Sequence, residues 1–252
     1  MDSQNLDRFK ELTFDDFKRL AQDESLTPYE KIGFPNSYRE GKEELIFQDI
    51  TRKLPNLAKA NQIVLDIGPG CSGPAFMLIE WCRRQGHQLI LVDSQEMLSH
   101  LPDEPFVEKI VGLYPDECDD LFQKYRGRID AIVCYSVLHY IFVETNIFNF
   151  LDRSLSLLAD GGELLIGDIP NVSKRKRFFS SPNGIRFHQA FTGTNEIPSV
   201  QFNAIEEGKL DDAVLLSLVL RARSAGYDAY LVPQPDELPM ANRREDILIK
   251  KP

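Results

Sequence analysis

The sequence has no apolar run close to the length that spans a bilayer, and its cysteines do not cluster. A membrane-spanning helix needs about 18 consecutive apolar residues, and the first five residues lack the basic and apolar regions of an export signal. The four cysteines of the 252-residue chain include no close pair, and no His lies at ligand spacing from them. We therefore expect a cytoplasmic protein with reduced thiols, no contact with a membrane and no metal ion.

Positive charge is also scarce. The formal net charge is -10 and the isoelectric point is near 5.0. General binding to nucleic acid or to anionic membranes needs a net positive field, so the composition favours a small-molecule ligand over nucleic acid. The 42% apolar content suffices for one large core, and the length predicts a single domain with an accessory part.

The hydropathy pattern divides the chain near residue 60. Residues 1–60 show helical periodicity without strand signals, which predicts an N-terminal helical cap with a loop at 28–39 that could close on a ligand. From 61 to 252, apolar strands alternate with helical patterns, which predicts an α/β domain with a mostly parallel sheet. Residues 169–210 are too long for an ordinary connection and predict a lid or substrate loop. The last two strands, with no helix between them, predict an antiparallel pair.

Three glycines follow the first strand of this domain. Gly68, Gly70 and Gly73 permit a tight loop around a ligand, and Asp93 ends the next apolar run twenty residues after the last of them, where a carboxylate can bind ribose hydroxyls. This spacing satisfies the dinucleotide fingerprint of NAD-dependent oxidoreductases. Asp66 counts against that interpretation, because a dinucleotide offers no cation at this strand end, and so does the antiparallel pair.

At these motifs the chain resembles the class I S-adenosylmethionine-dependent methyltransferases. The resemblance rests on the segments 64–70, 92–93, 136–140 and 161–162. It implies a Rossmann-like sheet of seven strands in the order 3-2-1-4-5-7-6, of which the last strand is antiparallel. It also implies S-adenosylmethionine as the cofactor.

The resemblance further implies a set of cofactor contacts. The Gly68–Gly70 backbone would lie against the methionine portion, Asp93 would bind the ribose, and Asp66 would orient the loop or the amino group. The sequence after the third strand departs from the family pattern, so Leu113 and Tyr114 are expected to pack on the adenine ring instead of hydrogen bonding to it. The other residues predicted to contact the cofactor are Pro69, Ser94, Tyr135 and Ser136.

Three side chains are candidates for a general base, which a hydroxyl acceptor would need. His139 follows the fourth strand, His188 lies in the predicted lid, and Asp168 ends the fifth strand. Each has a structural alternative: packing or helix capping for His139, an exposed surface position for His188, and a helix or turn cap for Asp168.

Two groups of residues are candidates for binding the acceptor. Basic residues without an intervening acid, among them Lys174, Arg175 and Arg186, would suit a phosphate, or would simply lie in a solvated loop. Cap residues form the second group, which equally well could pack internally: Tyr29, Tyr38 and Arg39.

Together these patterns predict a methyltransferase acting on a small molecule, with an oxygen acceptor that is phosphorylated or sugar-like. The segment after the fourth strand, Cys134 to Val137, lacks the Asn/Asp-Pro-Pro-aromatic signature of enzymes that methylate amide or base-ring nitrogens. Two alternatives remain: an NAD-dependent oxidoreductase, and a methyltransferase-like scaffold subunit that binds the cofactor without catalysis.

Overall fold

A single seven-stranded sheet forms the centre of the protein, whose computed structural model describes residue 9 and residues 11–252. The strand order is β3-β2-β1-β4-β5-β7-β6, and β7 alone runs in the opposite direction to the other six strands. The strands are β1 (Ile63–Ile67), β2 (Gln88–Asp93), β3 (Val107–Val111), β4 (Ile129–Tyr135), β5 (Leu158–Pro170), β6 (Asp228–Pro233) and β7 (Arg244–Lys250). The predicted fold class and strand order are confirmed.

The parallel register brings the carboxyl ends of the central strands to one edge. Ile67 of β1 pairs with Val92 of β2, and Asp66 pairs with Val133 of β4. The strands are apolar because both faces of the sheet are covered, and β1 is buried at four of its five positions. Ligands of open α/β sheets bind beyond this edge.

Helices cover both faces of the sheet. Past the cap they are α5 (Gly73–Gln85), α6 (Gln95–Leu98), α7 (Asp119–Tyr125), α8 (Leu138–Glu144), α9 (Ile147–Leu157), α10 (Val172–Phe179), α11 (Pro182–Thr192) and α12 (Asp212–Ser224). Helix α5 buries one face, formed by Ala75, Leu78, Ile79 and Cys82. None of the helices in the described part of the chain combines the length and apolarity needed to cross a membrane.

The N-terminal cap consists of α1 (Phe14–Gln22), α2 (Pro28–Lys31), α3 (Asn36–Arg39) and α4 (Glu43–Lys53). Thr13 and Asp16 form a capping box at the start of α1. The segment 28–39, expected as a loop, folds instead into two short helices. Helix α4 buries Ile46, Phe47 and Ile50, whereas Leu45 is 38% exposed.

The segment 169–210 is more regular than the sequence suggests. It contains α10 and α11, each capped by a side chain, Asn171 and Ser181 respectively, and it becomes irregular only from residue 193. Before it, β5 begins at Leu158 and bulges around the glycines 161 and 162.

Candidate active site

The glycine loop after β1 is tight because two of its residues adopt left-handed backbone conformations. Gly68 has φ 67° and Gly70 has φ 61°. A Cβ at Gly68 would lie 2.6 Å from Cγ2 of Val137, and one at Gly70 would lie 2.6 Å from Cγ2 of Ile32 in the cap. Only glycine fits both the conformation and the space at these two positions.

Asp93 lies against this loop. Its Oδ2 accepts a hydrogen bond from the Gly70 amide at 3.2 Å, and its Oδ1 accepts one from the Ser94 amide at 2.7 Å. Burial raises the pKa of Asp93 to about 6, although these two amides lower it. The structure thus brings together the loop and the carboxylate that the sequence placed at one ligand.

The Asp66 carboxylate lacks hydrogen bonds of the kind that hold Asp93. Its side chain is buried at the end of β1, and within residues 11–252 it has no hydrogen bond or ion pair. Burial, together with the charge of Asp93, raises the pKa of Asp66 to about 8. Two carboxylates therefore face the same space without a cation between them. A cationic ligand group would lower both the cost of burying Asp66 and its repulsion by Asp93.

One main cavity runs from these carboxylates to the cap. From the sheet edge it is lined by Asp66, Gly68, Pro69, Gly70, Asp93, Leu113, Tyr114, Tyr135, Ser136 and Tyr140, among others. From the cap it is lined by Phe14, Phe17, Tyr29, Ile32, Phe34, Arg39, Glu43, Ile46, Phe47 and Ile50. Its volume of about 160 Å³ is below the range usual for ligand sites, because the cap is packed down on the glycine loop.

The predicted adenine contacts lie in this cavity, with one qualification. Leu113 and Tyr114 both line it, but the Tyr114 hydroxyl hydrogen bonds to Ser154 Oγ at 2.8 Å, so only its ring is available to a ligand. Ser94 does not line the cavity. Its Oγ caps α6 by accepting from the Met97 amide at 3.2 Å.

A buried ion network closes the cavity beside β4 and β5. Asp168 accepts from Arg39, from the Ser136 hydroxyl, and from Arg244 at 2.5 Å. Arg39 also donates to Ser136 Oγ at 2.7 Å. Burial alone would raise the pKa of Asp168, but Arg244, Arg39 and Ser136 together hold it below its usual value. Asp168 is therefore a fixed counterion for two arginines, which suits positioning better than proton transfer.

The two histidine candidates lie elsewhere. The His139 ring contacts the Tyr140 ring, with centroids 3.9 Å apart and planes tilted by 41°. His139 does not line the cavity, and its buried Nδ1 has no partner among the described residues. Burial, with a smaller contribution from Arg244, lowers the pKa of His139 to about 3, so its imidazole is a weak base. His188 lies on α11 against Phe179, with ring centroids 6.1 Å apart, and also does not line the cavity.

The six predicted acceptor-binding residues do not form one cluster. Tyr29 and Arg39 line the main cavity, where the Tyr29 hydroxyl hydrogen bonds to Glu43. Tyr38 and Lys174 line a different groove. Arg175 pairs with Glu206 at 2.6 Å, and the exposed Arg186 bonds to Asn183. No described residue between 169 and 210 lines the main cavity.

Sequence reasoning missed most of the cap's contribution to the cavity. The carboxylate of Glu43, in the cap, lines the cavity, and so does that of Glu144, at the end of α8. Glu144 also accepts a hydrogen bond from the Phe14 amide of the cap at 2.8 Å. The available signal was the pair Phe14 and Phe17, an apolar face on an otherwise polar helix. Such a face must cover something, but periodicity alone does not identify what it covers.

Several solved structures share this architecture. The plantazolicin methyltransferase BpumL, solved with S-adenosylhomocysteine, is 13% identical, with a TM-score of 0.56 and 99% coverage of both chains. The CurJ carbon methyltransferase is 15% identical, with a TM-score of 0.55, and 98% of this chain matches 66% of that one. The N-methyltransferase NodS from Bradyrhizobium japonicum, also solved with S-adenosylhomocysteine, is 13% identical, with a TM-score of 0.54 and coverages of 95% and 98%.

Sequence comparison adds no closer relative: no protein-family model and no curated protein matches the chain. At 13–15% identity the structural likeness establishes the fold and not the activity. The chain has the fold of the S-adenosylmethionine-dependent methyltransferases.

Proposed function

We propose that this protein is an S-adenosylmethionine-dependent methyltransferase that acts on a small molecule carrying a hydroxyl acceptor. The observation that carries the proposal is the unpaired, buried carboxylate of Asp66 beside the glycine loop and Asp93. A ligand that brings an amino group and a ribose to this place would satisfy both carboxylates. An NAD molecule would supply the ribose and leave Asp66 without its cation.

The residues of the cavity fit S-adenosylmethionine part by part. The backbone of Gly68 to Gly70 would hold the methionine portion, Asp66 its ammonium group, Asp93 the ribose hydroxyls, and Leu113 with the Tyr114 ring the adenine. When bound, the cofactor supplies a methyl group activated by a sulfonium. The protein's task is then to align the acceptor with that methyl group and to exclude water.

The charge of the lining narrows the class of acceptor. Four carboxylates line the main cavity, against one cationic side chain among its described lining residues, Arg39, which pairs with Asp168. The basic residues expected to bind a phosphate lie elsewhere. A phosphorylated acceptor is therefore not supported, and an uncharged acceptor with an apolar or aromatic body suits the many aromatic side chains better.

A hydroxyl acceptor needs a group to take its proton as the new bond forms. Neither His139, with its low pKa, nor Asp168, held by two arginines, suits this role. The hydrogen-bonded pair of Tyr29 and Glu43 does lie in the cavity, and we propose its carboxylate as the proton acceptor.

Calorimetric titration tests the choice of cofactor. S-adenosylhomocysteine is expected to bind with micromolar affinity, and NAD is expected not to bind, because NAD would place its anionic pyrophosphate at the glycine loop beside Asp66. Binding of NAD alone would contradict the proposal and favour the oxidoreductase.

The Asp93→Ala variant is expected to weaken the binding of S-adenosylhomocysteine by about 1–3 kcal/mol, because it loses hydrogen bonds between a carboxylate and the ribose hydroxyls. The same titration measures the change. Asp103→Ala is the matched control, since the Asp103 side chain is 94% exposed and lies outside the cavity. Equal affinities of the two variants would remove Asp93 from the binding site.

Turnover separates an enzyme from a scaffold subunit. The protein is incubated with methyl-labelled S-adenosylmethionine and fractionated metabolite extracts. We expect a small molecule to be labelled on an oxygen atom, and mass spectrometry would identify this product. Glu43→Gln is expected to reduce this labelling while leaving the affinity for S-adenosylhomocysteine unchanged. A donor that binds and stays unreacted with every fraction would support the scaffold alternative.

A further inference from the structure

A second groove of about 870 Å³ lies outside the main cavity and shares no lining residue with it among the residues described. Helices α10 and α11 form one wall, and the segment between β6 and β7 forms the other. Its size falls within the range of small-molecule sites. Ser37 and Tyr38 of α3 line this groove, whereas the next residue, Arg39, lines the main cavity.

Two amide side chains of the groove have an acceptor oxygen without a partner. Gln234 is only 5% exposed, and its Nε2 donates to Asp246 Oδ1 at 2.9 Å, which fixes the orientation of the amide. Its buried Oε1 has no hydrogen bond within residues 11–252, and neither has Oδ1 of Asn242. A buried acceptor without a donor is costly, but neither oxygen has surface that a ligand in the groove could reach, so the two amides offer no contact to one.

The groove is also basic in a protein of net charge -10. Four cations line it, against the single acid Asp236, which is exposed: Lys42, Lys174, Arg177 and Arg243. Of these, Arg177 pairs with Asp212, and Lys174 donates to the Arg244 carbonyl at 2.8 Å.

The other two cations have no ion pair in the described part of the chain. Arg243 is partly buried, and its Cζ lies 5.9 Å from the ring centroid of Phe179. Burial lowers the pKa of Arg243, and Arg244 and Arg175 lower it further, whereas Tyr38 raises it. Lys42 is exposed at the rim. An anion in the groove would face two cations that nothing else neutralises.

Aromatic rings form the apolar wall. Phe187 and Phe191 stack with centroids 6.3 Å apart and planes within 6° of parallel, and Phe178 meets Phe187 edge to face at 5.6 Å. Phe187 is 42% exposed and Phe191 is 56% exposed. Rings held in this way at a groove offer a flat surface to a second ring.

We propose that this groove binds a small aromatic anion. The anionic group lies between Arg243 and Lys42, and the ring lies against Phe187 and Phe191. The proposal does not depend on the function proposed for the main cavity, because the two sites share no lining residue.

Calorimetry with 4-hydroxybenzoate tests the site on the intact protein without cofactor. We expect binding at least tenfold tighter than that of 4-hydroxybenzamide, which has the same ring and hydroxyl group but lacks the anion. Arg243→Gln and Lys42→Gln are each expected to weaken the binding of 4-hydroxybenzoate at least fivefold. Arg186→Gln is the matched control, because Arg186 lies on α11 but not in the groove, and it is expected to bind as the wild type does.

Lys42 is exposed, so its substitution tests the site even if Arg243→Gln fails to fold. No binding at millimolar concentration, equal binding of the amide, or wild-type affinity in the folded basic variants would each overturn the proposal. So would a loss in Arg186→Gln as large as that in Lys42→Gln, because it would reflect net charge alone.

Discussion

The Asp168→Asn variant is expected to unfold with a free energy about 3–5 kcal/mol lower than that of the wild type. Arg39 and Arg244 both donate to this carboxylate, and the side chains of the three residues are 6%, 9% and 1% exposed. Removal of the negative charge leaves two guanidinium groups buried without a counterion. Because Arg39 belongs to the cap, the variant is also expected to loosen the cap from the sheet.

Urea denaturation at pH 7 measures this effect. Asp152→Asn is the control, because the ion pair of Asp152 with Arg221 is about half exposed and is worth at most about 1 kcal/mol. Since the pKa of Asp168 in the folded protein is below the ordinary 3.8, its contribution is present above about pH 4 and is lost as the pH falls through the folded pKa. Similar losses in the two variants would contradict a structural role for the network.

The Asp66→Asn variant is expected to make the ligand-free protein more stable and to bind S-adenosylhomocysteine less tightly. The amide removes a buried charge that has no partner within the described residues, which should raise the free energy of unfolding by about 1–3 kcal/mol at pH 8.5. The same change removes the anion proposed to bind the ammonium group, so the affinity should fall at least tenfold. Sites that bind charge commonly combine these opposite effects.

The pH dependence distinguishes this explanation from a general packing effect. The folded pKa of Asp66 is about 8, above the ordinary 3.8, so the unfolded chain releases this proton first. The wild type therefore loses stability as the pH rises from about 4 to about 8, and the advantage of Asp66→Asn should grow over that interval. Denaturation at pH 5.5 and pH 8.5 measures it; an advantage that is constant with pH would contradict the assignment.

The sheet and its ligand edge were predictable because their signals are local. An apolar run such as Ile63 to Ile67 indicates a strand buried on both faces. Gly68 and Gly70 indicate a left-handed backbone conformation that other residues rarely adopt. The absence of a helix between β6 and β7 was enough to predict the antiparallel pair. Topology then placed Asp66 and Asp93 at one edge of the sheet.

The cap side of the site was not predictable, because it depends on contacts between distant parts of the chain. Arg39 and Asp168 are 129 residues apart, and nothing in either neighbourhood indicates the partner. Lys174 and Arg175 are neighbours in sequence, yet one bonds to the Arg244 carbonyl and the other to Glu206, because consecutive residues of a helix point in different directions. For this reason, the spacing of basic residues along the chain was not enough to predict a phosphate site.

The contact of Ile32 with the glycine loop has a kinetic consequence. With the cap seated on Gly70 and fastened by Arg39, the space beside Asp66 is smaller than the ligands it is proposed to hold. S-adenosylhomocysteine, which remains after methyl transfer, could leave only after the cap detaches from the glycine loop. We therefore expect each catalytic cycle to end with a slow opening of the cap. The first turnover would then be faster than those that follow, and a ligand trapped beneath the cap would exchange more slowly than its affinity implies.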